Sequence, residues 1–242
     1  MLDACVIVPA YDAATTVGGV VDALRGALGL PIIVVDDGST DATGKIALAH
    51  GADLLTHARN RGKGAALRTG LREAARRGFR VAITVDADGQ HPAQSARMVL
   101  GAADDPRALV LGVRDLVRDG APPRNRFGNR VSNFFLSFFS GRALRDTQCG
   151  LRRYPIPETL VLGTRSNGYA FEGEVVLRAV DACLPVVEIP VTVVYPPSGE
   201  GRSHFRGVID PVKIVLAIAS TVALLGVGRM MPRRRAKATM TR

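Results

Sequence analysis

The feature that most constrains this chain is a regular alternation of short apolar runs with stretches of helical spacing. Ala4–Pro9 reads as a short buried strand, Pro31–Val35 as a second, Ala52–Leu55 as a short strand and Arg80–Val85 as a fourth. Between them lie Thr15–Leu28, Asp41–His50 and Lys63–Arg77, the first with apolar residues at Val17, Val20, Val21, Leu24 and Leu28, a helical interval. Strands alternating with helices imply a parallel sheet with right-handed crossovers. Ligands on such sheets sit at the carboxyl ends of the strands. The polar residues that break the pattern cluster there: Pro9-Ala10-Tyr11, Asp36-Asp37-Gly38 and Asp86-Ala87-Asp88.

The second half is less regular. Leu109–Val113 reads as a strand ending in Arg114, and Arg118–Arg126, with Pro122-Pro123, as a mobile polar loop. Phe127–Phe139 reads as an unusually apolar helix and Phe171–Ala182 as another. Val186–Val194 reads as a strand that Pro190 confines to a sheet edge.

Residues 84–92, Thr-Val-Asp-Ala-Asp-Gly-Gln-His-Pro, carry the sharpest chemical signal. Asp86 and Asp88 stand at i and i+2 where an apolar strand stops, Gly89 allows a turn, and Pro92 suits the first turn of a following helix. Hard divalent cations need oxygen ligands of this kind. Asp36-Asp37-Gly38-Ser39-Thr40-Asp41 repeats the theme: a carboxylate there accepts from a nucleobase or ribose, or Asp41 serves only as a helix cap. Asn60-Arg61-Gly62-Lys63-Gly64 is a basic, Gly-rich loop before a helix, suited to phosphate or simply to a flexible turn. Arg126 and Arg130 are four apart and share a helix face rich in Phe, which suits an amphiphile with a phosphate head, while core packing is the alternative. Asp146, Glu172 and Glu174 are the candidate general bases. His50, His57 and His204 read as surface or satisfied residues, and His91 stands out only because it adjoins the acidic motif.

Composition narrows the partners. With 47% hydrophobic and 22% charged residues among 242, the chain can bury a core and is not disordered. Few aromatics and no Trp argue against a single-stranded nucleic-acid platform. Cys5, Cys149 and Cys183 fit neither a zinc pattern nor a disulfide framework, consistent with reduced thiols, and no secretory signal is expected. Of the net +10, the acid-free stretch 229–242 supplies +6. It follows the charge-free run Ile214–Gly228, too short for the roughly 20 residues that span a bilayer. This pairing favours an anionic membrane surface over nucleic acid, with the run lying in the interface or packed on the protein's own core.

Taken together and in order, these pieces closely resemble the inverting family 2 glycosyltransferases of GT-A fold. Within that family they are most similar to the dolichol-phosphate mannosyltransferase branch and the bacterial polyprenyl-phosphate sugar transferases. The resemblance rests on Val8-Pro9-Ala10-Tyr11, Val34-Val35-Asp36-Asp37-Gly38-Ser39, Asn60-Arg61-Gly62-Lys63-Gly64, Asp86-Ala87-Asp88-Gly89-Gln90-His91-Pro92, Gly112-Val113-Arg114, Asp146-Thr147-Gln148-Cys149-Gly150 and Ser203-His204-Phe205.

It implies a mixed, mostly parallel α/β sheet as a GT-A domain over residues 1–207, with an apolar helix and basic tail over 208–242. It implies that a hexose moves from a nucleoside-diphosphate sugar, of GDP-mannose or UDP-glucose type, to a polyprenyl phosphate, with Mg2+ or Mn2+. The enzyme would work at the cytoplasmic face of the membrane as a peripheral or monotopic protein. Pro9, Tyr11, Val35, Asp37, Lys63, Asp86, Ala87 and Asp88 would hold the nucleotide sugar. Asp88 and Gln90 would bind the metal, and Arg114, Arg126 and Arg130 the acceptor phosphate. Asp88, Arg114 and Arg202 would carry catalysis, with Arg202 and His204 on a closing loop. Asp12-Ala13 replaces the Asn-Glu usual after the first-motif Tyr, Ser203-His204 replaces a common Ser-Lys, and Arg130 replaces a common serine; these departures bear on which sugar nucleotide is used. The alternative is a soluble family 2 enzyme acting on a sugar or small hydroxyl, for which Asp146 or Glu174 would be essential.

Overall fold

The structure is a computed structural model that describes residues 3–195, 216–224 and 226. The first half alternates as the apolar pattern dictates: β1 (Ala4–Ala10), α1 (Val17–Leu28), β2 (Ile32–Asp36), α2 (Thr43–Ala49), β3 (Asp53–Thr56), α3 (Lys63–Arg76), β4 (Val81–Thr84). Every residue of β1 and β2 is buried, so these strands have no solvated face, as expected of a parallel sheet covered on both sides. Alternate side chains feed two cores. Ile7, Ile33 and Val35 pack with Leu67 and Leu71 of α3, while Val6, Val8 and Val34 pack with Val21 and Leu24 of α1.

The second half supplies α4 (Ala93–Leu100), β5 (Leu109–Arg114), α5 (Pro123–Ser140), β6 (Arg152–Pro155), α6 (Ile156–Val161), α7 (Ala170–Asp181) and β7 (Val186–Val191). The seven strands lie in the order β3-β2-β1-β4-β6-β5-β7. β6 pairs antiparallel with both neighbours, and the other pairings are parallel. The sheet is thus mixed and mostly parallel, with β7 and its Pro190 at an edge, as the sequence led us to expect.

Two features depart from the sequence reading. The stretch taken as a loop through Arg126 is helical from Pro123, because a proline costs nothing in a helix's first turn, where its missing N–H has no partner to lose. β6 itself was unexpected, since Arg152-Arg153-Tyr154 looks too polar for an inner strand. All three are nonetheless fully buried. Arg152 donates to the carbonyls of Thr147, Cys149 and Glu172 at 2.7–2.8 Å, and Arg153 to those of Leu100, Ala103 and Asp105. Backbone oxygens thereby solvate guanidinium groups that would be too costly to bury bare.

Residues 216–224 are helical, with Ile218 and Thr221 buried, the former in the core beneath α3 and α7. Leu216 and Leu224 are exposed. Among the described residues no helix is long and apolar enough to cross a membrane. The remainder of 208–242, including the basic tail, lies outside the described residues.

Candidate active site

The parallel register sets Pro9 beside Val35 and Ala10 beside Asp36, and β4 pairs with β1 on its other side. The three acidic or aromatic turns therefore open on one rim. Asp37 is buried there. It accepts from the backbone N–H of Arg61 at 3.0 Å and of Gly62 at 2.6 Å, and His57 Nδ1 lies 2.6 Å away. The far nitrogen of His57 is 2.9 Å from Thr69 Oγ1 on α3. His57 is thus a buried link between the second motif and α3, a role its isolated place in the sequence did not signal. Val35 points into the core, so only its backbone reaches the rim. Tyr11 is half-buried. Asp12, which stands where the family's Asn is usual, accepts from Thr40 N at 2.8 Å.

The Gly-rich loop is firmly held. Gly62 has φ +93°, and a Cβ there would come within 2.5 Å of the Asn167 carbonyl. That carbonyl also accepts from Ala65 N at 3.0 Å, covering the start of α3. The close approach that the glycines permit is to the protein's own 166–168 segment. Lys63 is aimed inward, 2.7 Å from Asp86 Oδ1 and 3.0 Å from Glu172 Oε1. Burial opposes its charge, but the two carboxylates outweigh burial and raise its pKa. Burial likewise opposes the Asp86 charge, and Lys63 prevails, holding that carboxyl below the usual range. At Glu172 burial wins and the carboxyl is pushed up.

Asp88 faces solvent at the end of the β4 turn, accepting from Gln90 N at 3.0 Å. Crowding by protein atoms, and then the charge of Asp86, push its carboxyl up to about 6. Two neighbouring carboxylates that resist ionising together are a donor set that a hard divalent cation relieves, so Asp88 fits one. No group of three or more His, Cys, Asp or Glu side chains placed to hold a metal ion occurs among the described residues. His91 is buried, its Nδ1 without a hydrogen-bond partner, and burial takes its pKa down to about 4.

Beside this cluster, Arg114 meets Asp146 through two side-chain bonds, Nε to Oδ2 at 2.7 Å and Nη2 to Oδ1 at 3.0 Å. Asp146 also accepts from the backbone of Arg114 and Gln148. Despite complete burial, Arg114 keeps this carboxyl low. Glu174 is equally committed, accepting from Arg165 N, Ser166 N and Arg178 Nε. Of the three candidate bases, Asp146 and Glu174 have no carboxylate to spare, while Glu172 is engaged by Lys63 with its carboxyl pushed up by burial. The loop after Asp146 is tied to α5, where Asn133 Oδ1 accepts from Thr147 N at 2.9 Å and from its hydroxyl at 2.7 Å.

On α5, Arg126 and Arg130 are exposed to solvent. The alternative reading of the apolar helix as core holds for Leu136 and Phe135, which packs against the core, but not for Phe127, Phe134 and Phe138, which are 67%, 64% and 71% exposed. Arg202 and His204 lie outside the described residues.

Residues 5–155 match the Glycosyl transferase family 2 domain. The polyprenol monophosphomannose synthase of Mycolicibacterium smegmatis is 32% identical over 201 residues, covering 77% of this chain and 76% of that one. The UDP-N-acetylglucosamine–dolichyl-phosphate N-acetylglucosaminyltransferase of Methanococcus voltae is 28% identical over 214 residues, covering 78% and 84%. Glucosyl-3-phosphoglycerate synthase from Mycobacterium tuberculosis, solved with Mn2+, UDP-glucose and phosphoglyceric acid, superposes with a TM-score of 0.71. At 19% identity over 91% of this chain and 79% of that one, it speaks for the GT-A fold alone. From the carboxylate turns at the ends of its parallel strands to the domain they match, this chain belongs to glycosyl transferase family 2 and is a glycosyltransferase.

Proposed function

We propose that the protein moves a hexose from a nucleoside-diphosphate sugar to a polyprenyl phosphate at the cytoplasmic face of a membrane. The observation that carries this reading is α5. One exposed helix face offers Arg126 and Arg130 beside Phe127, Phe134 and Phe138, cations next to bare hydrocarbon-like surface, which suits an amphiphile with a phosphate head. The same helix is hydrogen-bonded to the loop carrying Asp146, which holds Arg114. An acceptor bound along α5 would lead its phosphate toward Arg114.

The chemistry agrees with the committed state of Asp146 and Glu174. A phosphate oxygen is ionised at neutral pH and attacks the anomeric carbon without surrendering a proton. The bond from that carbon to the nucleoside diphosphate breaks on the opposite side, and the leaving group departs with the electron pair, inverting the centre. Catalysis is then positioning and charge neutralisation. Arg114 orients the acceptor, locked by Asp146. Asp86, braced by Lys63 and Glu172, lies on the nucleotide side, with Pro9, Tyr11, Asp37, Ala87 and the backbone of Val35 lining the nucleoside end. Asp88 and Gln90 would hold Mg2+ or Mn2+, which when bound supplies a Lewis acid to the departing diphosphate.

Relatives named for dolichyl- and polyprenyl-phosphate transfer support the lipid acceptor. The phosphoglycerate bound by the structural neighbour supports a second reading, a small soluble acceptor that brings its own charge. Incubating membranes and purified protein with labelled sugar nucleotides separates the two. Label in a lipid extract, released by mild acid, is expected; label only in water-soluble product would overturn the lipid acceptor.

A further inference from the structure

Away from the rim, α3 and the 159–164 segment enclose a cavity of about 250 Å³ lined by Arg68, Leu71, Arg72, Thr159, Leu160, Gly163 and Thr164. Its cations differ from their neighbours on the same helix. Arg76 is paired with Glu73, and Arg77 with Glu73 and Asp53. Arg68 and Arg72 have no acidic partner among the described residues. The Arg68 guanidinium donates to two neutral oxygens, Ser166 O and Asn167 Oδ1, and lies 5.9 Å from the Phe171 ring centroid, contacts that leave its net charge unneutralised. Burial, and then the charge of Arg72, lower its pKa, with Arg61 adding to the repulsion. The carboxylate within reach, Glu174, is spent on Arg165 N, Ser166 N and Arg178. Like charges gathered at a cavity without a counter-ion are costly, and an anion relieves them.

We propose that this cavity is a phosphate-binding site, formed by Arg68 and Arg72 with the hydroxyl-bearing Thr159 and Thr164 and floored by Leu71 and Leu160. The guanidinium forks match a phosphate's oxygens, and the apolar floor suits the organic part of a phosphate monoester. The volume admits a phosphate and a small substituent, and excludes a whole nucleotide sugar. The site is separate from Lys63 and Asp86, and it does not rest on the transfer reaction. The phosphate can come from a soluble ester or from a lipid headgroup.

Titration with inorganic phosphate and with glycerol 3-phosphate, at constant ionic strength in chloride, tests the site by calorimetry. Saturable binding is expected. It should weaken at least tenfold in Arg72→Gln, partly recover in Arg72→Lys, and persist in Arg97→Gln, a change at an exposed arginine of α4. Arg72 is exposed, makes no ion pair among the described residues and lies in a helix that tolerates Gln, so the variant should fold. Vesicles with and without phosphatidic acid identify the source. Vesicle binding lost in Arg72→Gln assigns a headgroup; vesicle binding unchanged while glycerol 3-phosphate binding is lost assigns a soluble ester. Phosphate binding to Arg72→Gln equal to that of the native chain overturns the proposal.

Discussion

Replacing Asp146 by Asn separates a structural carboxylate from a catalytic base. Asp146 is fully buried and meets Arg114 through two side-chain bonds, so the change leaves a buried guanidinium facing a neutral amide. Removing one partner of a buried pair costs about 3–5 kcal/mol. For a chain of this size each kcal/mol moves the melting point by roughly 2–4 °C, so a fall of roughly 6–20 °C is expected. The sign with pH is fixed. Arg114 holds the folded-state carboxyl below its unfolded value, so the stabilisation is complete above the unfolded value near ~4 and is lost as pH falls through the folded one. Urea unfolding should therefore show a constant gap between native and Asp146→Asn protein from pH 5 to 8, roughly, closing below about 4. The paired change Asp146→Leu with Arg114→Met should restore much of the stability without restoring transfer. A variant that unfolds like the native chain yet has lost transfer would refute this account and make Asp146 a chemical participant.

Asp88→Ala should abolish divalent-dependent nucleotide binding and transfer while circular dichroism stays native; full activity would sink the metal assignment. In the native protein, the Asp88 carboxyl near 6 binds a proton in competition with a cation, so metal-supported nucleotide binding, followed by fluorescence titration, should weaken as pH drops below about 6. Gly150→Ala would set a Cβ 2.2 Å from Asp86 Oδ2, displacing that carboxylate; nucleotide affinity should drop at least tenfold, and unchanged affinity would show that Asp86 does not organise the donor side. Phe134→Asp, at a 64% exposed position, should reduce sedimentation with anionic vesicles while leaving the melting point within about 2 °C.

The first half of the fold was legible because its signals are local. Apolar runs buried on both faces can only be inner strands, and the carboxylates that follow them fall on one rim once the strands are parallel. What the sequence hid depends on partners far along the chain. Arg152 and Arg153 read as solvent-facing until carbonyls from 147, 149 and 172, and from the segment around 100–105, turn out to solvate them. His57 gave no signal, because its meaning lies in Asp37, 20 residues before it, and Thr69, 12 after. The Gly-rich loop was visible as a place of close approach, but its partner, the Asn167 carbonyl, follows it by more than 100 residues. The phenylalanines of α5 were visible as a cluster, and only the packing of Leu136, Phe135 and Ser132 inward shows that Phe127, Phe134 and Phe138 point away from the core.

The antiparallel strand β6 also imposes an order of assembly. β1 to β4 pair only with one another on their first-made edges, so a four-stranded sheet can close as soon as residue 84 is available. β5 has no such freedom, because β6 separates it from β4 and is synthesised some forty residues later. Until Arg152–Pro155 enters, the four-stranded sheet carries an open edge on β4, and β5 has no strand to join. The nascent chain therefore has all four strands that carry the Asp37 and Asp86 turns before the residues of the Arg114–Asp146 pair have both been made.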